Sequence, residues 1–105
     1  MAAKKFSLTP SPTFKAPVSI QVPGGKTVQV EFTFKHRNRE DFRELTEGLE
    51  GRKDVEILLD IASGWELEDA FEEKNVQKLV DNYLGAGRAV LETYVAELTA
   101  ARAKN

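Results

Sequence analysis

Two short runs of strictly alternating apolar residues, separated by Pro23-Gly24-Gly25, limit what this chain can fold into more than any other feature. Val18, Ile20 and Val22 alternate with Ser19 and Gln21 before the break. Val28, Val30, Phe32 and Phe34 alternate with Gln29, Glu31 and Thr33 after it. Successive side chains of a strand point to opposite faces, so each run presents its apolar set on one side. Glycine reaches positive φ at little steric cost, which suits the break to a tight connection. The pattern predicts an antiparallel hairpin over 18–35 with one buried face. A lone hairpin is marginal in water, so helices or another copy must cover that face.

From Asn38 onward the period lengthens to that of helices. Asn38 or Asp41 can cap a first helix carrying Phe42, Leu45 and Leu49, which ends near Gly48 or Gly51. A second fits Asp54 to Ser63, with Val55, Leu58, Leu59 and Ala62 on one side and Gly64 as its stop. Trp65 to Phe71 reads as a connecting loop. A third helix runs from about Glu73 to Tyr83 and buries Val76, Leu79, Val80 and Tyr83, and Gly85 and Gly87 break or bend it. The last, about Ala86 to Arg102, sets Val90, Leu91, Tyr94, Leu98 and Ala101 on one stripe, with Arg102 and Lys104 near the negative end of its dipole. Hairpin first and about four helices after gives a single α+β domain over 18–105, with its helical part at 38–104. Residues 1–17 hold three of the four prolines and are expected to form an extended arm, in which Phe6, Leu8 and Phe14 can pin the chain to the body.

With 105 residues, 41% hydrophobic and 30% charged, the chain has material for one packed core inside a charged shell. No apolar run approaches a membrane span, and no apolar stretch follows Lys4 and Lys5 as a secretory signal requires. The absence of cysteine excludes disulfides and thiolate chemistry and is compatible with a reducing compartment. The net charge of −2 conceals an asymmetry: residues 1–39 carry seven Lys/Arg and one acid, and the remainder eight Lys/Arg and sixteen acids. Such opposition can drive head-to-tail association, with Lys35, Arg37 and Arg39 facing Glu66, Glu68 and Asp69 of a neighbour.

Catalysis needs converging groups, and few are present. His36, the one histidine, sits among cations in Lys35-His36-Arg37-Asn38-Arg39, where neighbouring charge makes it a poor base at neutral pH. The carboxylates at 66–73 lack the spacing and central glycine of a calcium loop, and they favour the start of the helix that follows. Gly24-Gly25-Lys26-Thr27 lacks the upstream glycine of a phosphate loop and leads into a strand. No catalytic residue, metal or cofactor is expected. What remains is surface for protein partners: Trp65, Phe71, Tyr83, Tyr94 and Leu98, of which the aromatics suit interfaces and equally suit closing a small core.

The order of several motifs resembles the tail assembly chaperones of long-tailed bacteriophages. They are Gly64-Trp65 with its acidic loop, Asn75-x-x-x-Leu79 in a helix reaching Asn82-Tyr83, then Gly85-Ala86, and Tyr94-x-x-Glu97-Leu98 before Ala101 to Asn105. Pro12 to Val18 and Phe32 to Arg37 are similar to that family's opening strands. Leu84 stands where the family has proline before Gly85, so a softer break, or none, is expected there.

The resemblance implies a job. Such chaperones coat the tape measure protein, a long helical chain whose apolar surface would otherwise aggregate. They keep it soluble in the host cytoplasm and help recruit tail tube subunits, often through a longer form made by ribosomal frameshifting. They are absent from the finished virion. This chain would be the short form. Many copies on one rod imply a homo-oligomer and modest affinity per site, with no nucleic acid or membrane among its partners. Two other readings stay open: a small nucleic-acid-binding regulator using Lys35, Arg37 and Arg39, and an oligomeric tail-completion component of the virion.

Overall fold

A computed structural model describes residues 3–100, so the expectations for Ala101, Arg102 and Lys104 lie outside the described residues. The chain runs β1 (Thr13–Val22), β2 (Lys26–Lys35), α1 (Arg39–Glu47), α2 (Asp54–Ile61), β3 (Ala62–Trp65), α3 (Glu73–Asn82) and α4 (Ala86–Thr99). β1 and β2 form the expected hairpin, with Val18 opposite Val30 and Ile20 opposite Val28. Gly24 and Gly25 both take positive φ, 107° and 85°, at the turn. The inward residues Ala16, Val18, Val30, Phe32 and Phe34 are buried. The opposite face of the sheet is polar and open to solvent, and Gln29 bonds Ser19 across it at 2.6 Å.

β1 begins at Thr13, and the sheet takes in part of the segment expected as arm. The His36 amide donates to the Pro12 carbonyl at 2.8 Å, which places the even-numbered residues of β1 in the bonded pairs. The nitrogen of Pro17 therefore faces the free edge, where its missing proton costs nothing. Phe14 pins the strand to the body through rings 5.6 Å from Phe34 and 6.2 Å from Tyr94. Phe6 and Leu8 do not: they stand 77% and 88% exposed, because no element of this copy reaches them.

Two further departures have physical causes. A third strand, β3, occupies residues assigned above to the end of α2 and to a loop. It pairs with β2 as Phe32 to Trp65 and Phe34 to Ala62, with a bulge at Ser63. Four residues including glycine and serine are too few to show alternation, and the β2 edge supplies the template. α2 buries Ile57 and Ile61 as well as Val55 and Leu58, since it sits centrally and touches α3, α4 and β3. Its core is thus broader than a single stripe.

The other helices follow their signals. Asn38 caps α1, its Oδ1 accepting the Asp41 amide at 2.8 Å, and Gly48 ends it. α3 buries only Val76, while Leu79, Val80 and Tyr83 stay half-buried at the margin of the core. α4 lies against β1 and α2, burying Val90 and Tyr94. The break between α3 and α4 is complete despite Leu84. The Ala86 amide closes a turn on the Tyr83 carbonyl at 2.9 Å, and Gly85 at φ −92°, ψ 0° has the third-residue values of a type I turn.

Candidate functional site

Trp65 ends β3 with its indole edge-on to two rings, Phe32 at 5.8 Å and Phe71 at 5.1 Å. Its Nε1 donates to the Asp69 carbonyl at 2.7 Å and so draws the acidic loop back over the ring. Asn75, in the first turn of α3, holds the same loop from the other side through Nδ2 to the Ala70 carbonyl at 2.8 Å. At the start of the loop the Glu66 amide donates to the Glu31 carbonyl at 3.0 Å, and the Glu66 carboxylate accepts the Glu31 amide at 2.7 Å. The loop thus has fixed ends although its side chains are solvated.

Between this loop and α3 lies a groove of about 210 Å³. One wall is Trp65, Leu67 and Asp69; the other is Asn75, Lys78, Leu79 and Asn82, one face of α3, with Tyr83 at its end. Trp65, Leu79 and Tyr83 are half-buried and Leu67 is 39% exposed, while Leu84, next in the chain, is 88% exposed. The floor is therefore apolar and held in shape before any partner arrives, and the neighbouring loop is rich in carboxylates. Such a surface suits apolar side chains flanked by positive charge.

Of the residues singled out in the sequence, Trp65 and Tyr83 meet in this groove, with Phe71 packed behind Trp65. Asp69 lines it, and Glu66 and Glu68 belong to the same loop, although the Glu66 carboxylate also serves the β2 backbone. Leu67, Leu79 and Leu84 are not among the partner-site residues read from the sequence. Leu79 has the spacing of a core position, and Leu67 and Leu84 are isolated leucines with no periodicity to mark them.

Leu98 lies elsewhere, with Phe42 and Thr99 in a depression of about 560 Å³ that His36, Arg37, Asn38 and Arg39 complete. Arg39 is exposed there, while the Lys35 ammonium approaches the Leu59 carbonyl at 3.5 Å. Arg37 is engaged inside the fold. It donates to the Tyr94 hydroxyl at 2.9 Å and to Asp60 Oδ1 at 2.8 Å, and Arg52 reaches Asp60 Oδ2 at 3.1 Å. Tyr94 is fully buried and donates to the Lys35 carbonyl at 2.7 Å. Partial burial alone would raise Asp60, but the hydrogen bond from Arg52 and the charge of Arg37 hold it below its ordinary value. Burial pushes the Tyr94 phenol up, against the opposing hydrogen bond and charge of Arg37. The Arg37 guanidinium is raised: burial works against it, and Tyr94 and Asp60 outweigh burial. These groups tie β2, α2 and α4 together, so in this conformation Arg37 and Tyr94 serve the fold.

Among the described residues, no cluster of three or more His, Asp or Glu is placed to hold a metal ion, and no helix is long and apolar enough to cross a membrane. A family model described as phage tail assembly chaperone matches the chain over residues 1–105. No curated protein and no solved structure matches it significantly.

Proposed function

The chain belongs to the phage tail assembly chaperone family, and from that premise we propose that it grips apolar segments of the tape measure protein in the groove between β3 and α3. The observation that supports this placement is the groove itself. Its aromatic and leucine side chains are half-exposed, and the loop beside them is fixed by hydrogen bonds from Trp65 and Asn75. A helical client presents apolar residues along one face, and these are the groups such a groove accepts. The exposed Leu84 extends the apolar surface at the end of α3.

Each groove is small, so each contact is weak, and useful retention comes from many copies on one long client. Weak individual contacts also allow displacement, which recruitment of tail tube subunits requires. In this reading the protein acts in the host cytoplasm before the tube closes, is left out of the virion, and contributes no catalysis. Recruitment of the tube protein would fall to a frameshifted longer form.

The test is co-expression with the tape measure protein of the same phage, with soluble complex measured by sizing and light scattering. A tape measure soluble only in the presence of this protein, in a complex of many copies, is the expected result. Leu67→Ser and Leu79→Ser should each reduce the soluble fraction while the variant stays folded. Full solubilisation by the double variant would remove the groove from the proposal. Salt-sensitive binding to duplex nucleic acid, with no effect on the tape measure, would replace the reading altogether.

A further inference from the structure

The segment preceding β1 is bonded to its own copy at Pro12, whose carbonyl accepts the His36 amide at 2.8 Å, and its described residues before that stand out in solvent. Ala3 to Pro12 are exposed throughout, including Phe6 at 77% and Leu8 at 88%. Two large apolar side chains held in water on a segment that bends at Leu8-Thr9, where Ser7 bonds Thr9, are a cost to the free monomer unless something covers them. Residues 6 and 8 are two apart, so if the segment straightens on docking they point the same way, about 7 Å from each other. Lys4 and Lys5 precede them, and the first twelve residues contain no acid.

The groove beside Trp65 has the opposite character. Its floor is apolar, and the adjoining run from Glu66 to Glu73 carries five carboxylates and no cation, with Lys78 the one cation in the lining. The arm leaves its own copy at the β1 edge, whereas the groove lies at the β3 edge, with β2 between them. We propose that the arm of one copy lies in the β3–α3 groove of the next, with Phe6 and Leu8 on the apolar floor and Lys4 and Lys5 against the acidic loop.

The contact is heterologous: each copy offers an arm at one edge and a groove at the other. It therefore propagates as an open chain or spiral and does not close as a two-fold dimer. It also places the basic early residues of one copy against the acidic loop of another, which gives the charge asymmetry a specific location. Arm and client segment would compete for one groove; that competition rests on the client-binding reading above, whereas the arm contact does not.

Two variants separate the halves of the contact. Phe6→Ser with Leu8→Ser removes the arm's anchors and leaves the groove, and Leu67→Ser alters the groove and leaves the arm. All changed side chains are exposed or nearly so, and circular dichroism checks each fold. In sedimentation velocity the unaltered protein is expected to self-associate in a concentration-dependent way. The groove variant should associate roughly ten- to a hundred-fold more weakly, the equivalent of losing one buried apolar side chain, and the arm variant, which loses two, more weakly still. Mixed together they should form a discrete two-copy complex, because one intact arm meets one intact groove and neither end can extend. A fluorescent peptide of residues 3–12 should bind the arm-variant protein and be released by salt. A monomeric unaltered protein at high concentration, an arm variant that self-associates normally, or a mixture that stays monomeric would each overturn the contact. No outcome of these measurements depends on the tape measure protein.

Discussion

Replacing Tyr94 by Phe isolates the part of the fold that depends on polar groups and not on packing. The ring of Tyr94 is fully buried, 5.3 Å from Phe34 and 6.2 Å from Phe14, and phenylalanine keeps those contacts. What disappears is a hydroxyl that donates to the Lys35 carbonyl at 2.7 Å and accepts from Arg37 at 2.9 Å. A neutral bond of the first kind contributes about 0.5–1.5 kcal/mol, and one from a charged donor about 1.5–3 kcal/mol. The Arg37 side chain is 16% exposed and keeps its bond to Asp60, so water and the carboxylate soften its loss. The expected destabilisation is roughly 2–3 kcal/mol. For a domain of this size that lowers Tm by roughly 10–20 °C, measurable by calorimetry and by urea unfolding.

A second readout distinguishes the hydroxyl from any packing defect. The Tyr94 pKa is raised in the fold, so the phenol contributes stability that is fully present below the unfolded value of 10.0. That contribution is lost as pH rises through the folded value. Tyr94→Phe has no phenol at this position, so its stability deficit relative to the unaltered protein should shrink above about pH 10. A loss under about 0.5 kcal/mol at neutral pH, with an unchanged deficit at alkaline pH, would refute the view that this hydroxyl joins β2 to α4.

Three further outcomes follow from particular contacts. Leu84→Pro should be neutral or stabilising by about 0.4–1 kcal/mol in urea unfolding. Position 84 is second in a type I turn, and Tyr83 before it is extended at φ −127°, ψ 95°, as the residue before proline should be. Gly87→Ala should cost about 1–3 kcal/mol, more than the ~1 kcal/mol it gains in helix propensity. The added Cβ would fall 2.5 Å from Asp54 Oδ2 and 3.1 Å from its Cβ, and Asp54→Ala in the same background should restore part of the loss. Asp60, held below its ordinary value, contributes stability that is present above the unfolded pKa near 3.8 and lost as pH falls through the folded one. The difference between the unaltered protein and Asp60→Asn should therefore narrow below about pH 4 in acid titrations followed by circular dichroism.

The hairpin was legible because its two faces differ in solvent exposure, and exposure is what alternation encodes. Val18 against Ser19 and Phe32 against Thr33 state the faces residue by residue. Helix ends were legible wherever capping chemistry is local, as at Asn38 and Gly48. β3 was not, because it exists through the edge of β2, and its residues Ala62-Ser63-Gly64-Trp65 carry little preference of their own. The groove was half legible. Trp65 and Tyr83 announce themselves by size, whereas Leu67, Leu79 and Leu84 matter only through where α3 and the loop place them. Arg37 shows the opposite failure. In the sequence it is one cation of a basic run, and in the fold it is bonded to Asp60 and Tyr94, residues far along the chain.

The sheet also constrains how copies can meet. An open three-stranded sheet has two edges that invite strand addition, and a protein that must assemble reversibly has to block them. On β1 the outward nitrogen at mid-strand belongs to Pro17, and Lys15 stands beside it on the open face, so an added strand would lose a bond and meet a charge. On the far side β3 is short and bulged at Ser63, and beyond it the Glu66 carboxylate takes the Glu31 amide that a new strand would need. Past that point only the hairpin tip around Thr27 and Gln29 keeps a free edge, a stub too short to hold a strand. Association by backbone ladders is thus disfavoured on both edges. Side-chain surfaces remain, and among them the arm and the groove carry complementary charge and matching apolar groups. A contact built from two anchoring side chains and screened charges forms and dissolves readily, whereas a continuous strand ladder does not, and reversible coating of a client needs the first kind.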